Sequence, residues 1–286
     1  MRRKSSSVLV SVAILMGIGS FAAVRAGAIH DAAEAGNVPK LGVLLDKDPD
    51  LANGTNSFGS TPLCLAAANG NKGAVEFLLA KGAKVNLPDG KGDTALTLAV
   101  AKEQRAVIDY LLTHGANLNS QNKDGVSALI LAVGKDDTGL ADLLVNKGAT
   151  VNIKDSRGDR PLAIAARKGN RRIVEILLAQ NANANGKNGK GDSPLHEAAA
   201  QGQRDIAEML LNRGADVDSK NDLGFTPLHQ AAAGGYVETV HVLLGRGAEP
   251  KTTNKDGKTA LDLAKALGKT NVVEVLQNAV AEPATK

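Results

Sequence analysis

The chain has 286 residues, 43% of them apolar, which is long and apolar enough to form a folded core. Its 34 basic and 30 acidic side chains give a net charge of +4, but Arg2, Arg3, Lys4 and Arg25 supply the whole surplus. Without them the chain is neutral, and it contains no Trp, four Phe and two Tyr. Nucleic-acid binding needs a basic surface and usually stacking rings, so we expect no nucleic-acid partner.

The first 26 residues have the three parts of a signal peptide: a charged start, an apolar run over Val8–Val24, and small residues suited to cleavage. Cleavage after Ala26 or after Ala28 fits equally well. A retained membrane anchor is the alternative, but the apolar run of 17 residues is shorter than the roughly 20 that a spanning helix prefers. We therefore expect export to the periplasm or the extracellular space, with no stable membrane insertion after cleavage.

A repeat with a period of 33 residues organises the rest of the chain. An irregular first repeat contains Ile29, and seven regular repeats follow it with openings such as STPLCLAAANG and FTPLHQAAAGG. These seven repeats open at Ser60, Asp93, Val126, Asp159, Asp192, Phe225 and Lys258. The predicted repeats lie near 28–59, 60–92, 93–125, 126–158, 159–191, 192–224, 225–257 and 258–282, followed by a tail at 283–286.

Each repeat predicts two helices. A Thr or Ser before the first helix is placed to accept a hydrogen bond from an unpaired backbone N–H, and Pro often follows at the first helical position. Rows of Leu and Ala supply a core, and a second helix with apolar residues at helical spacing ends at Gly, or once at Asn181. The linking segment, such as that from Asp155 to Gly158, has a type I turn signature. The predicted capping residues are Thr61, Thr94, Ser127, Ser193, Thr226 and Thr259.

The 33-residue period, the TPLH-like openings and the G-A-x-x-N linkers together resemble the ankyrin-repeat family over about residues 28–282. The resemblance implies an all-α ankyrin-repeat solenoid of about eight helix-turn-helix repeats joined by hairpin-like loops, curved so that loop tips and first helices form a concave side. With its leader, the chain resembles exported or periplasmic bacterial ankyrin-repeat proteins. Arg160 replaces the capping Thr, and Glu103 and Asp136 replace a recurrent Gly, so repeats three to five depart from the ideal pattern.

The sequence offers no convincing catalytic or metal centre. His30, His196 and His229 stand at the family's His position, one per repeat, where the resemblance implies a local structural bond. Equivalent positions in adjacent repeats should be about 8–10 Å apart, which is too far for ligands of one zinc ion. Cys64 takes the same position and has no base nearby, so a buried thiol is expected. We predict no enzyme activity, cofactor or metal; a hydrolase or metal enzyme hidden in the array is the less favoured alternative.

The remaining candidates are variable residues at the tips and on the first helices. An apolar patch of Leu223 and Phe225, with Tyr236 beyond it, is typical of a binding hot spot. A basic stretch in the middle repeats consists of Lys135, Arg157, Arg167 and Lys168. The alternative is that Phe225 shields the neighbouring tip and the charges form a solvated face. The predicted partner-binding residues are Phe58, Lys91, Lys123, Arg157, Arg167, Lys168, Lys190, Leu223, Phe225 and Tyr236.

The resulting prediction is an exported, non-catalytic interaction module that binds a protein through its concave surface. A membrane-tethered scaffold with an uncleaved leader is the alternative. The pattern favours a monomer and leaves the oligomeric state and the identity of the partner open.

Overall fold

The computed structural model describes residues 27–281, which fall into two compact units. We call residues 27–123 the N-terminal unit and residues 124–281 the C-terminal unit. The predicted signal peptide (1–26), residue 282 and the tail (283–286) lie outside the described residues.

The N-terminal unit consists of helices with short connections. Its first helix, α1, occupies residues 27–34. The following elements are α2 (Val38–Lys47), the 3-10 turn η1 (Pro49–Asn53), α3 (Pro62–Ala68), α4 (Lys72–Ala80), α5 (Ala95–Ala101) and α6 (Arg105–Thr113). The first helices α3 and α5 pack on each other, and so do the second helices α4 and α6, which gives a stack of helix pairs.

The C-terminal unit continues the same construction. Its helices are α7 (Ala128–Gly134), α8 (Thr138–Asn146), α9 (Pro161–Lys168), α10 (Arg171–Ala179), α11 (Pro194–Ala200), α12 (Arg204–Asn212), α13 (Pro227–Gly234), α14 (Val237–Gly245), α15 (Ala260–Ala266) and α16 (Thr270–Ala281). The odd-numbered helices form one layer and the even-numbered helices a second. Over residues 27–281 the backbone forms no β-strand beyond a single bridge between Thr253 and Thr259, so the predicted all-α repeat fold is confirmed.

The predicted helix signals act as expected. Thr61, for example, accepts a hydrogen bond at Oγ1 from the Cys64 N–H (3.1 Å), and Pro62 begins the helix. Arg160, which replaces a capping residue, makes no capping bond with its side chain. Side-chain caps of this kind precede the first helices at Thr61, Thr94, Ser127, Ser193 and Thr259.

Two rows of small and branched residues form the core between the layers. The Leu row is buried in six repeats, and the Ala row is completely buried in all seven, which lets neighbouring first helices approach closely. The Leu row in the core is Leu63, Leu96, Leu129, Leu162, Leu195 and Leu228. The seventh, Leu261, lies in the last repeat and is half-buried.

Backbone with positive φ occurs three times in most repeats, once after each helix and once at the loop tip. Gly accommodates it at most of these positions, but Glu103 (φ 59°), Asp136 (φ 63°) and Asn181 (φ 58°) adopt it with a Cβ present. The Cβ of an L-residue crowds its own backbone in this region, so Glu103 and Asp136 strain their turns, as the departure from the Gly pattern indicates.

Asn side chains at one repeated linker position form hydrogen bonds to the backbone that follows the second helix of the next repeat. In Asn185, Nδ2 donates to the Gly214 carbonyl (2.8 Å) while Oδ1 accepts from the Asp216 N–H (2.8 Å). Asn53, Asn86 and Asn152 make the same pair of bonds. The row changes at Asp218, which still accepts from the Glu249 N–H (3.0 Å) but has no amide hydrogen to donate.

Candidate partner-binding surface

The loop tip between consecutive repeats is a hydrogen-bonded turn built around one Asn or Asp. At the tip after α10, Oδ1 of Asn188 accepts from the Lys190 N–H (2.9 Å) and from the Asp192 N–H (3.0 Å). The Asn188 N–H donates to the Asp192 carbonyl (2.9 Å), which closes the turn. Asn56, Asp89, Asp155, Asn221 and Asn254 close their tips in the same way. This geometry fixes the backbone on which the variable side chains stand.

Adjacent tips within each unit are joined to one another. In the C-terminal unit the Gly189 N–H donates to the Arg157 carbonyl (2.8 Å), and Nδ2 of Asn188 donates to Oδ1 of Asp159 (3.1 Å). In the N-terminal unit the Lys123 N–H donates to the Lys91 carbonyl (2.9 Å). The tips of the C-terminal unit therefore form a continuous bonded row, and the Lys91 and Lys123 tips of the N-terminal unit are joined in the same way. We call the tips together with the exposed face of the first helices the tip surface.

The N-terminal unit carries three of the predicted partner-binding residues, and all three are exposed tip residues. The Phe58 ring is 79% exposed, which is unusual for an aromatic side chain. Lys91 and Lys123 are exposed on the two following tips.

The apolar patch predicted in the C-terminal unit is smaller than expected. Leu223 is 62% exposed at its tip. Phe225 is half-buried rather than exposed, because its ring packs edge-on against the His229 ring with centroids 5.8 Å apart. Tyr236 is also half-buried, and its ring lies so close to Gly202 and Gly234 that a Cβ at either glycine would overlap it. Phe225 is thus only partly exposed, and Leu223 is the exposed apolar residue of this patch.

The predicted basic stretch is instead a network in which carboxylates lie beneath the cations. Arg157 is 72% exposed, and its guanidinium contacts Asp155 Oδ2 (3.1 Å) and Asp159 Oδ2 (3.8 Å). Arg167 bridges Asp159 Oδ2 (3.4 Å) and Glu197 Oε1 (3.2 Å). The side chains of Asp155, Asp159 and Glu197 are only 2%, 6% and 12% exposed. Arg157 and Arg167 of the predicted basic stretch are therefore paired with acids that the sequence interpretation left out.

A cleft of about 310 Å³ opens on this network between the fifth and sixth repeats. Burial raises the pKa of Glu197 above its usual range, an effect that Arg167 partly offsets. Lys190 stands exposed at the rim, and Lys168 is exposed at the end of α9. The residues lining the cleft are Arg157, Asp159, Arg167, Asn188, Lys190, Asp192 and Glu197.

Comparison with known families agrees with this construction. A family model described as "Ankyrin repeats (3 copies)" matches residues 29–122, 112–188 and 129–221. A second, described as "Ankyrin repeats (many copies)", matches residues 210–264. Together they span well over half of the chain. The chain belongs to the ankyrin-repeat family. Ankyrin repeats mark it as a protein–protein interaction module.

The ankyrin histidines have the structural role that the resemblance implies. In His196, Nε2 lies 2.9 Å from the Phe225 carbonyl of the following repeat, and Nδ1 lies 3.2 Å from the Ser193 nitrogen. A carbonyl only accepts and a backbone N–H only donates, so this ring is neutral with its proton on Nε2. His229 repeats the arrangement with the Lys258 carbonyl (3.0 Å). Burial lowers the pKa of both histidines, which keeps them uncharged.

Other reactive groups of this ankyrin array are enclosed or dispersed. Cys64 is fully buried, and burial raises the pKa of its thiol, as expected for a core residue. Among residues 27–281 no three His, Cys, Asp or Glu side chains are grouped so that they could hold a metal ion. The same residues include no helix of the length and apolarity needed to cross a membrane.

Proposed function

We propose that the chain is an exported, non-catalytic ankyrin-repeat module that binds a protein partner through its tip surface. The observation that carries this proposal is the bonded row of tips, which presents variable exposed side chains at one repeated position. Phe58 and Lys91 occupy this position in the N-terminal unit, and Arg157, Lys190 and Leu223 in the C-terminal unit. The leader pattern in residues 1–26 supports export.

Rigidity of the tips favours binding. A surface whose backbone is already ordered loses little conformational entropy on association, so more of the contact energy appears as affinity. Each tip of the C-terminal unit is bonded to a neighbouring tip, and closing bonds such as those at Asn188 order the turn itself. An exposed Leu223 among polar neighbours adds an apolar contact of the kind that contributes strongly at interfaces.

A catalytic role receives less support from the same residues. Asp159 and Glu197 are the best-placed acids, but each is paired with Arg167 and bonded to Asn188 (3.1 and 3.3 Å). A general acid or base needs a group free to exchange a proton with a substrate. Retention of one equivalent of tightly bound metal after dialysis would favour the hydrolase alternative instead.

Two measurements in the native compartment test the proposal. A photo-crosslinking side chain at Leu223 should trap a partner, whereas the same side chain at Arg172, exposed on the second helix α10, should not. Trapping at Arg172 alone would refute binding through the tips. Sequencing the N-terminus of the accumulated chain tests export: a start after Ala26 or Ala28 supports it, and a start at Met1 supports the tethered scaffold.

A further inference from the structure

One tip position in the C-terminal unit forms a column of exposed side chains with a definite order of charge. It is the residue two places after the Asn or Asp that closes each tip. In chain order the column reads acidic, basic, basic, apolar and acidic, and all five residues are exposed. These residues are Asp124, Arg157, Lys190, Leu223 and Asp256.

Backbone hydrogen bonds hold this column in register. The carbonyl of each of its first four residues accepts from the N–H of the residue 32 places further on. The Gly189 N–H donates to Arg157 (2.8 Å), and the Lys255 N–H donates to Leu223 (3.0 Å). The bonds to Asp124 and Lys190 are 2.8 and 3.0 Å long. The spacing along the column is therefore set by main-chain pairing rather than by flexible side chains.

The spacing matches an extended polypeptide. Each tip consists of two backbone segments. In the tip at Asn188, the Asn188 N–H donates to the Asp192 carbonyl and joins the two segments, and the Gly189 N–H joins this tip to the previous one. Paired backbone segments lie about 4.8 Å apart, so equivalent residues of successive tips are about 9.6 Å apart. An extended chain advances about 3.3 Å per residue, and three residues therefore cover one step of the column.

The charge that the column presents to a partner depends on which of the charged side chains around it are exposed. Beneath Arg157 and Lys190, the carboxylates of Asp155, Asp159 and Glu197 are buried or nearly so and already accept bonds. The guanidinium of Arg157 remains 72% exposed despite its contact with Asp155. A molecule approaching these two tips thus meets two exposed cations, and on the next tip the exposed Asp222 precedes the apolar side chain of Leu223.

From this arrangement we infer that the column binds an extended acidic segment of the protein partner. The segment carries acidic residues three places apart, facing Arg157 and Lys190, and an apolar residue three places beyond, on Leu223. This inference rests on the proposed function and specifies its partner chemistry. A uniform polyanion fits less well, because Asp124 and Asp256 bound the column with negative charge.

Selection from a random library of displayed twelve-residue peptides tests this inference, with the purified chain in the form that the cell accumulates. Wild type should enrich acidic-x-x-acidic-x-x-apolar sequences, or the same order reversed. A variant carrying Arg157→Glu and Lys190→Glu should enrich basic residues at the two positions instead. A matched variant carrying Lys147→Glu and Lys251→Glu, which changes the same net charge at exposed sites outside the column, should select as wild type does.

Affinities of defined peptides make the test quantitative. A synthetic peptide with Glu at positions 3 and 6 and Leu at position 9 should bind about tenfold or more weakly to the Arg157→Glu/Lys190→Glu variant than to wild type. The neutral variant Arg157→Gln/Lys190→Gln, which avoids placing Glu beside Asp155, should show an intermediate loss. Moving the second Glu to position 5 should weaken binding to wild type.

Several results would overturn the inference. They are enrichment without acidic residues, failure to enrich any peptide, enrichment unaffected by the charge reversal, and equal binding of the two Glu spacings. Inorganic polyphosphate that displaces the peptides equally well, whatever the spacing of their acidic residues, would indicate a general polyanion site instead. If crosslinking at Leu223 still traps a partner in those cases, the inference fails and the proposed function stands. Loss of crosslinking at the tips would count against the proposed function itself.

Discussion

The Asn row that links consecutive repeats contains one acid, and replacing it should stabilise the protein. Asp218 accepts from the Glu249 N–H but cannot donate to the carbonyl of Gly247, which corresponds to the Gly214 carbonyl bound by Asn185. Burial raises the pKa of Asp218, and the neighbouring Asp216 and Glu249 raise it further. Asp218→Asn supplies the missing donor and removes a carboxylate from an acidic neighbourhood.

The expected gain follows from these two changes. A hydrogen bond contributes about 0.5–1.5 kcal/mol net, and relief of partly exposed repulsion adds a few tenths. We expect Asp218→Asn to raise the free energy of unfolding by about 1 kcal/mol, or the melting temperature by about 2–4 °C. The reverse change, Asn185→Asp, is the matched control and should lower stability by a similar amount, because it removes the 2.8 Å bond to Gly214. Thermal and urea unfolding followed by circular dichroism measure both.

The pH dependence of the stability gained by Asp218→Asn is a more specific test of this reasoning. A carboxyl whose pKa is higher in the folded than in the unfolded protein holds its proton more tightly when folded, so its ionisation destabilises the fold. The penalty is present at pH 7 and disappears as the pH falls through the folded pKa of Asp218 towards the ordinary value near 3.8. The advantage of Asp218→Asn should therefore shrink at low pH. An advantage that grows on acidification, or none at pH 7, would refute the reasoning.

Three further predictions concern the repeats. Leu195→Ala should cost about 2–5 kcal/mol by opening a cavity between stacked helices, whereas the exposed Lys190→Ala should cost under about 0.5 kcal/mol; equal losses in urea unfolding would contradict the fold. Glu103→Gly should gain about 0.5–1 kcal/mol by relieving positive φ, and an unchanged melting temperature would argue against strain. Because burial lowers the pKa of His196 and His229, stability should fall as the pH drops below about 6.5, and less so in His196→Asn.

Features that depend on one repeat were predictable from the sequence. A capping Thr followed by Pro, as at Thr61 and Pro62, acts on the backbone of its own helix. The start of that helix can therefore be predicted without knowledge of the neighbouring repeats. The period then places the Leu and Ala rows on a buried face in the repeats that pack against a neighbour on both sides, and Leu261 in the last repeat is only half-buried. The helix pairs and their turns follow from these local rules.

Features that depend on contacts between repeats were harder to predict. Arg167 was identified as a cation, but its acceptors Asp159 and Glu197 come from the preceding tip and from the next first helix. The position of Glu197, 30 residues after Arg167, was the available signal. Phe225 looked exposed because tip residues generally are, and only its contact with His229 shows otherwise. Sequence position alone therefore does not give the pairing and burial of these side chains, and their contact with a partner stays a prediction.

One set of side-chain bonds between repeats in the C-terminal unit points towards the carboxyl end of the chain, whereas others, such as that from Asn188 to Asp159, point the other way. His196 and Asn185 each donate to a carbonyl about one period further on, and Lys187 reaches the Lys220 carbonyl in the same sense (2.7 Å). Shortening the array from its carboxyl end would thus remove the acceptor of the buried His196 side chain, whereas an internally copied 33-residue block would arrive with its donors already facing the next repeat.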